Sequence, residues 1–489
     1  MPGTPARPDA RRPRPQGRTR PQHPTRSAPS RGSSKGRSSV RPPKAKSALE
    51  LGLDHAAELA AAAADQPVPS FHALGLPEAL VTALARRGVT SPFAIQVRAL
   101  PDGIAGRDVL GRGQTGSGKT LAFGLPLLAR LDRVPSVPGA PLGLVLVPTR
   151  ELAQQVSDAL APLGQALGIR VATVYGGTPI GRQIDQVRRG VHVVIATPGR
   201  LQDLVDRRAV DLGQVRVTVL DEADHMADLG FMPAVTALLD LTPSQGQRML
   251  FSATLDRGVD ALALRYLKDP AMHAVAASDS SVDTMDHVVF AVSREAKVDV
   301  AVEIAQRPAR TLFFVRTKHG ADRLAGQLNA GGASAAAIHG NLNQGQRRRA
   351  LEAFSDGAQR VLVATDVAAR GIHVDDVDLV VHFDPPQDHK DYLHRSGRTA
   401  RAGARGTVLS LLLSGEVRDH QRLREAAGVE ASATSVVPGH PAVRALAESG
   451  EAVQVVQRAA PARRQGSRPY RGGQGAQRAG ERVRPFKRG

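Results

Sequence analysis

A glycine-rich loop is the part of this sequence whose residue types point most directly to chemistry. It runs Gly113-Gln114-Thr115-Gly116-Ser117-Gly118-Lys119-Thr120, after a short apolar run and before a helical pattern that we expect to begin near Leu121. Its glycines let backbone N–H groups surround phosphate oxygens, Lys119 can reach the outer phosphates, and the Thr120 hydroxyl suits Mg²⁺. The loop therefore predicts a nucleotide-phosphate site; the alternative is a glycine-rich turn before a helix.

A short acidic run, Asp221-Glu222-Ala223-Asp224, follows another apolar run and could complete such a site. Asp221 is placed to hold Mg²⁺ through water, and Glu222 to orient and deprotonate an attacking water, because phosphoryl transfer depends mostly on positioning and charge stabilisation. Alone, such a run is more often a solvated helix start. A phosphate loop on the same expected sheet favours the catalytic interpretation.

Short runs rich in Val, Leu and Ile alternate with helical stretches, which is typical of buried parallel strands. The expected strands are residues 108–110, 142–147, 191–196, 215–220 and 248–251, and then 311–315, 335–338, 361–364, 379–383 and 407–412. They predict two doubly wound α/β halves. Residues 277–286 are small and polar, which predicts a flexible linker that lets the halves open and close. The polar clusters mostly follow strands, where open α/β sheets bind ligands.

The charge lies at the two ends of the chain. The formal net charge is +19, while residues 1–47 hold thirteen Arg or Lys against Asp9 and residues 458–489 hold ten against Glu481, so the middle is close to neutral. Both ends are rich in Arg with Pro, Ser, Gly or Gln, and we expect them to be disordered tethers for polyanions. A role in solubility or nuclear import is the alternative.

Composition excludes several other classes. The chain has no cysteine, so disulfides, thiolate metal sites and a cysteine nucleophile are excluded. Residues 56–64 form the most apolar early stretch, and they are far shorter than the roughly 20 residues of a membrane span. The N-terminal arm has transit-peptide composition, but its prolines would break the amphipathic helix that such a signal needs.

The phosphate loop, the acidic run and Ser252-Ala253-Thr254 together resemble the DEAD-box RNA helicases over about residues 71–413. The resemblance implies two RecA-like domains in tandem, between the basic tails that the composition predicts. Residues 88–96 resemble the family's adenine-reading motif, in which Gln96 pairs with the base and Phe71 covers it, so ATP is the expected nucleotide. Coupling between ATP and RNA would run through Asp224, Ser252 and Thr254.

Other segments resemble the family's motifs that contact the RNA backbone, and their hydroxyls, turn N–H groups and arginines suit phosphate. In the first half the RNA-binding candidates are Pro148, Thr149, Arg150, Gly177, Thr197, Gly199 and Arg200. In the second half they are Arg316, Gln344, Arg347, Thr365 and Arg370, with Asp366 as a coupling residue. Residues 392–403 resemble the arginine-finger segment, in which Arg398 and Arg401 would neutralise the γ-phosphate and His394 and Arg395 would couple that event to the first domain.

Two positions depart from the family pattern. His373 stands where the family has an Asp that approaches the ribose hydroxyls, so we expect ATP affinity to be weaker or pH-dependent near the histidine pKa of roughly 6.5. Asp375 or Asp376 could fill the role instead. Ala400 replaces a Gly and is a mild change if the backbone there is helical.

These features predict a helicase that couples ATP hydrolysis to local RNA duplex unwinding or RNA–protein remodelling, with little sequence specificity because aromatic residues are 3% of the chain and Trp is absent. A non-catalytic RNA scaffold and a DNA helicase are the rivals. Residues 316–321 and the lack of an appended RNA-recognition domain resemble the bacterial RhlE-type branch. That branch implies a cytoplasmic setting, with ribosomal precursors or RNA-decay proteins as partners. We also expect a monomer that binds single-stranded RNA and short duplexes.

The expected division of the chain follows from these boundaries. It is residues 1–66 for the basic arm and a lead-in helix, 67–276 for the ATP-binding domain, 277–286 for the linker, 287–428 for the second domain and 429–489 for the C-terminal extension.

Overall fold

Two seven-stranded parallel sheets follow one another along the chain in a computed structural model. The structure describes residues 47–62, 67–113, 116–275, 285–369, 377–400 and 405–453. We call the part built on the first sheet lobe 1 and the part built on the second sheet lobe 2.

Within its described residues, lobe 1 has seven strands in the order β3-β4-β2-β5-β6-β1-β7. Its strands are β1 (Val109–Arg112), β2 (Gly143–Leu146), β3 (Val171–Val174), β4 (Val193–Ala196), β5 (Val217–Asp221), β6 (Gln247–Ser252) and β7 (Ala271–Ala274). Its helices are α1 (Ala48–Ala62), α2 (Glu78–Arg86), α3 (Ala94–Ala105), α4 (Lys119–Arg130), α5 (Arg150–Gln165), α6 (Ile180–Arg188), α7 (Pro198–Asp206), α8 (Ala223–Asp228), α9 (Met232–Asp240) and α10 (Arg257–Tyr266).

Lobe 2 repeats the arrangement in the order β10-β11-β9-β12-β13-β8-β14. Its strands are β8 (Met285–Val292), β9 (Thr311–Phe314), β10 (Ala335–Ile338), β11 (Val361–Ala364), β12 (Leu379–His382), β13 (Gly406–Leu413) and β14 (Ala433–Ser435). Its helices are α11 (Lys297–Ala305), α12 (Lys318–Ala330), α13 (Gln344–Ser355), α14 (Asp366–Ala369), α15 (His389–Ser396), α16 (Val417–Ala426) and α17 (Pro441–Ala447), with a 3₁₀ turn at Ser414–Glu416.

Apolar packing on both faces explains why the central strands are continuous apolar runs. Strands β2, β4 and β11 are buried at every residue, as parallel strands covered by helices on both sides must be. Two apolar clusters, which include Leu144 and Val145 respectively, cover the opposite faces of the first sheet. Because the sheets are rigid, the loops at their carboxyl edges can hold side chains in fixed positions.

The predicted two-half α/β fold is confirmed, and each of the ten expected strands coincides with an observed one to within a few residues. Strands β3, β7, β8 and β14 are not predicted. In β3 only alternate residues are buried, so it lacks the continuous apolar run of its neighbours. Helix α4 begins at Lys119, two residues before the expected start, because Gly118 forms its N-cap in the left-handed conformation.

The structure places two domain boundaries differently from the division expected from the sequence. Met285 and Asp286, assigned to the linker, are the first residues of β8, which pairs with β13 over eight residues; residues 277–284 of the linker lie outside the described residues. The second lobe also continues beyond residue 428, because β14 pairs with β8, and Val436 and Val443 are buried in its core. In lobe 1 the lead-in helix α1 packs on the core through Leu53.

Neither basic tail falls within the described residues, apart from Ser47. None of the helices that the structure describes is long and apolar enough to span a membrane.

Candidate active site

The phosphate loop joins β1 to α4 at the carboxyl edge of the first sheet. The Lys119 side chain is buried, and its Nζ donates to the Gly113 carbonyl oxygen at 2.7 Å across the loop. Gly116 and Gly118 have φ values of 90° and 87°, which favour glycine. The loop therefore holds a lysine and a left-handed backbone at a helix N-terminus, as a phosphate site requires. Thr120 is the second residue of α4, while Gln114 and Thr115 lie outside the described residues.

The predicted adenine-reading glutamine touches the phosphate loop. Gln96 is buried, its Nε2 donates to the Gly118 carbonyl at 3.0 Å, and its Oε1 accepts from the Phe93 backbone N–H at 3.0 Å. One donor and one lone pair of the amide remain for a base edge. Phe71 is 2% exposed within the apolar cluster of lobe 1, so its predicted cover of the base stays a prediction.

The acidic run lies at the end of β5, where Asp221 and Asp224 are buried and the Glu222 side chain is 13% exposed. Burial raises the pKa of Asp221 to about 7, against the opposing charge of Lys119. Burial also acts to raise the pKa of Glu222, but the hydrogen bond and charge of His225, with the charges of Arg398 and Lys119, lower it to about 2. The run therefore holds an ionised Glu222 next to a carboxylate that would gain from a cation.

Glu222 also has an unusual backbone. Its φ of 52° and ψ of 51° lie in the left-handed region, directly before α8. For a residue other than glycine this conformation costs roughly 1–2 kcal/mol. Strain of this kind is concentrated at functional sites.

The three predicted coupling residues of lobe 1 form one hydrogen-bonded unit. The Asp224 Oδ2 accepts from the Thr254 backbone N–H at 2.9 Å and from the Thr254 hydroxyl at 3.0 Å. The Ser252 hydroxyl accepts from the Asp224 N–H and donates to the Thr254 carbonyl. The acidic run is thus tied to the loop after β6.

Lobe 2 contributes directly to the same site. Arg398 and His394 line a narrow cleft together with residues of lobe 1, namely Lys119, Glu222, Asp224, His225 and Ala253. Within lobe 2, Arg395 makes a two-pronged ion pair with Asp366, at 2.6 Å from Nε and 2.8 Å from Nη2. The predicted finger Arg398 therefore faces the predicted base Glu222, whereas Arg401 lies outside the described residues.

The RNA candidates of lobe 1 cluster around the turns after its strands. Thr149 caps α5 by accepting from the Leu152 N–H, Arg150 lies beside Gly177, and Arg200 donates to the Thr178 carbonyl. The remaining candidates are the buried Pro148, Thr197 at the N-cap of α7, and the exposed Gly199. Their contact with RNA stays a prediction.

The RNA candidates of lobe 2 occupy several loops. Arg316 is exposed, Gln344 begins α13, and Thr365 precedes α14. Arg347 is 5% exposed, and its Nε lies 2.7 Å from Glu151 Oε1 of lobe 1. Arg347 is therefore engaged by a carboxylate of the other lobe. Arg370 lies outside the described residues.

The two positions that depart from the family pattern, Ala400 and His373, have different outcomes in the structure. Ala400 has a φ of 54°, so its backbone is left-handed and the helical backbone assumed for a mild change is not present. A glycine suits that conformation, which gives a physical reason for the family residue. His373, Asp375 and Asp376 lie outside the described residues, so the expectation about ribose contacts stays a prediction.

Two residues of the site are not predicted by the motifs. His225 lies 3.2 Å from Glu222, and its only sequence signal is its place one helical turn after that residue. Glu151 lies within a predicted RNA motif, but its partner Arg347 is 196 positions away, so no local pattern could pair them.

Two RecA-like parallel-sheet lobes with a phosphate loop, a buried acidic run and an arginine facing it define a nucleoside-triphosphate-driven motor. Residues 93–262 match the family model described as DEAD/DEAH box helicase, and residues 296–403 match the model described as helicase conserved C-terminal domain.

Comparison with known proteins gives the family. The DEAD-box ATP-dependent RNA helicase CshA of Bacillus subtilis is 39% identical over 345 residues, which are 70% of this chain and 69% of that protein. DEAD-box ATP-dependent RNA helicase 30 of Arabidopsis thaliana is 38% identical over 391 residues, 78% of this chain and 65% of that one. The solved structure of S. cerevisiae Dbp5 bound to RNA and ADP BeF3 has a TM-score of 0.68 at 28% identity, and covers 78% of this chain and 100% of that chain. The chain belongs to the DEAD-box ATP-dependent RNA helicases.

Proposed function

We propose that the protein uses ATP binding and hydrolysis to open short RNA duplexes locally or to remodel RNA–protein complexes, with little sequence specificity. The observation that carries this proposal is the cleft shared by the lobes, in which Arg398 of lobe 2 faces Lys119 and Glu222 of lobe 1. A cleft of this composition forms only when the lobes are together. Hydrolysis is therefore linked to lobe closure, and RNA that favours closure would stimulate it.

Each residue of the cleft has a role that suits phosphoryl transfer. Lys119 binds the outer phosphates, ionised Glu222 orients the attacking water and accepts its proton, and Arg398 neutralises charge that develops on the γ-phosphate. The Asp224 unit with Ser252 and Thr254 links the acidic run to the next loop of lobe 1. Release of phosphate would then let the lobes separate and free the RNA.

Mg²⁺ fits the residues present. Asp221 has a buried carboxylate whose pKa burial raises to about 7, so a cation beside it would be stabilised, and Thr120 supplies a hydroxyl. Among the described residues there is no group of three or more His, Cys, Asp or Glu side chains able to hold a metal. The ion would accordingly take most of its ligands from ATP and water, and would neutralise phosphate charge.

Phosphate release from ATP, measured with and without single-stranded RNA, tests the proposal. We expect strong stimulation by RNA that is lost in Glu222→Gln. No hydrolysis in either state would support the rival of a non-catalytic RNA scaffold. Equal stimulation by RNA and by DNA of the same sequence would contradict RNA selectivity, because 2′-hydroxyl contacts distinguish the two.

Finer assignments are also part of the proposal. Residues 316–321 support a bacterial RhlE-type branch, although the relatives named above are CshA and a plant helicase. With that branch come a cytoplasmic setting and ribosomal precursors or RNA-decay proteins as partners, and we separately propose a monomer. Purification with bound RNA from a bacterial lysate, followed by sequencing of that RNA, would test the client class.

A further inference from the structure

A histidine outside the predicted machinery touches the proposed base. His225 lies on α8, three residues after Glu222, and its Nδ1 is 3.2 Å from Glu222 Oε2. Both side chains are shielded, with 5% of His225 and 13% of Glu222 exposed. A hydrogen bond that is shielded from water is stronger than one at the surface, so it restricts the orientation of the Glu222 carboxylate more.

Hydrogen-bond chemistry determines which ring nitrogen donates. An ionised carboxylate only accepts, so the Nδ1 of His225 carries the hydrogen that bonds to Glu222, and Nε2 is left for another partner. Within the described residues this buried Nε2 has no hydrogen-bond partner. Because the ring lines the cleft with Lys119 and Arg398, a polar group bound elsewhere in that cleft would satisfy it without any part in the reaction.

The backbone alone does not direct the Glu222 side chain. Glu222 lies before α8 in the left-handed conformation, outside a regular helix or strand, and its side chain has three rotatable bonds. A general base must stay within hydrogen-bond reach of its proton, and a misplacement of about 1 Å can cost roughly 100-fold in rate. A donor that holds one carboxylate oxygen leaves the other aimed in one direction.

We propose that His225 is a positioning residue that holds Glu222 Oε2 through Nδ1 and thereby directs Oε1 toward the attacking water. The inference rests on the proposed function, since it assigns how the base of that reaction is oriented. His225 itself takes no proton from the substrate.

Two substitutions separate positioning from packing. In His225→Asn the side-chain NH₂ takes the place of Nδ1–H and can still donate to Glu222 Oε2. In His225→Gln the side-chain NH₂ lies near the position of Nε2 instead, so the hydrogen bond to Oε2 is lost. We expect His225→Gln to lower kcat of RNA-stimulated hydrolysis by about 10- to 100-fold. The KM for ATP and the RNA affinity with a non-hydrolysable ATP analogue should be unchanged. We expect the kcat of His225→Asn to lie within about threefold of that of the unaltered protein, because its amide keeps the donor to Glu222 Oε2.

His273 provides a matched control. It lies on β7 of the same lobe and pairs with Asp102 at 2.8 Å between Nε2 and Oδ2, away from the cleft. His273→Gln should leave kcat unchanged, and thermal melting of all three variants verifies folding.

The outcomes distinguish the two proposals. If the unaltered protein shows no RNA-stimulated hydrolysis, the proposed function fails. If it does and His225→Gln has the same kcat, the positioning role is wrong and the proposed function stands. Equal losses of kcat in the Asn and Gln variants, or a loss that appears in KM, would also overturn the positioning role.

Discussion

Glu151 of helix α5 and Arg347 of helix α13 form an ion pair between the two lobes, with 2.7 Å between Oε1 and Nε. Only 11% of the Glu151 side chain and 7% of the Arg347 side chain are exposed. Burial lowers the pKa of Arg347, and the Glu151 charge opposes that shift. Arg347 also donates from Nη2 to the Ala368 carbonyl at 2.7 Å, so its guanidinium is held from both lobes.

We predict that this pair stabilises the closed arrangement of the lobes. Glu151→Gln and Arg347→Gln should each weaken RNA binding with a non-hydrolysable ATP analogue by about tenfold, because each leaves a buried partner without its counter-charge. The double variant should be no weaker than either single variant, which is the signature of a direct pair. Fluorescence anisotropy of a labelled single strand measures the affinities.

The same cycle tests whether Arg347 contacts RNA directly. Additive losses in the double variant would contradict the inter-lobe pair and favour the direct contact. The exposed pair of Arg422 and Asp419 is the control, since exposed pairs contribute little and Asp419→Asn should leave the affinity unchanged.

Ala400→Gly should stabilise lobe 2. Ala400 has a φ of 54°, and alanine in that conformation costs roughly 1–2 kcal/mol, part of which the greater chain entropy of glycine offsets. We expect urea unfolding to show a gain of about 0.5–1 kcal/mol.

A helical alanine of the same lobe provides the contrast. Ala353 lies within α13, so Ala353→Gly should lose about 1 kcal/mol. A loss of similar size in Ala400→Gly would argue against the left-handed backbone.

Lobe 2 should lose stability in mild acid because of three histidines around Tyr392, of which His382 and His420 are buried and His287 is partly buried. Burial, reinforced by Arg424, lowers the pKa of His287 and of His420 to about 4. Burial also lowers the pKa of His382 well below its usual value, and neither of its ring nitrogens has a hydrogen-bond partner among the described residues.

The sign follows from proton linkage. Below about pH 6.5 the unfolded chain binds protons that the folded lobe does not, so each histidine's contribution is complete above that pH and is lost as the pH falls toward 4. The slope is about 1.4 kcal/mol per pH unit for each proton.

His420→Phe isolates one of these protons. The variant should show a shallower fall in unfolding free energy between pH 7 and pH 5 than the unaltered protein, measured with urea. The two proteins must be compared because Asp221, whose pKa burial raises to about 7, makes the fold more stable as the pH falls through the same range. This contribution is the same in both proteins and cancels in the difference between their slopes. Equal slopes would show that His420 binds its proton in the folded protein as readily as in the unfolded chain, which would contradict the prediction.

The basic tails should provide electrostatic attraction for RNA. Deletion of residues 1–46 and 458–489 removes +21 of formal charge and should weaken RNA binding and flatten its dependence on salt. A control with the arginines and lysines of both tails changed to serine keeps chain length without charge. RNA binding that is unchanged by the deletion would contradict the tether role. Normal RNA binding by the serine variant would assign the effect of the deletion to chain length rather than to charge.

Local sequence determined the parts of this protein that depend on neighbouring residues. Apolar runs predict the fully buried central strands, since burial on both faces requires apolar residues at every position. Glycines, lysine and threonine in one loop predict the phosphate site, and Asp224, Ser252 and Thr254 are predicted as a coupling group because the family motifs mark them. Half-buried β3 and the short edge strand β14 lack that continuous signal.

Only the three-dimensional structure decided which side chains touch and which residues adopt a left-handed backbone. The pairing of Glu151 with Arg347 and the approach of Arg398 to Glu222 depend on how two separately folded sheets meet. The left-handed backbone at Ala400 and the ring of His225 against Glu222 depend on local conformations that residue type alone does not fix. Sequence records which side chains are available, while long-range packing determines which of them touch.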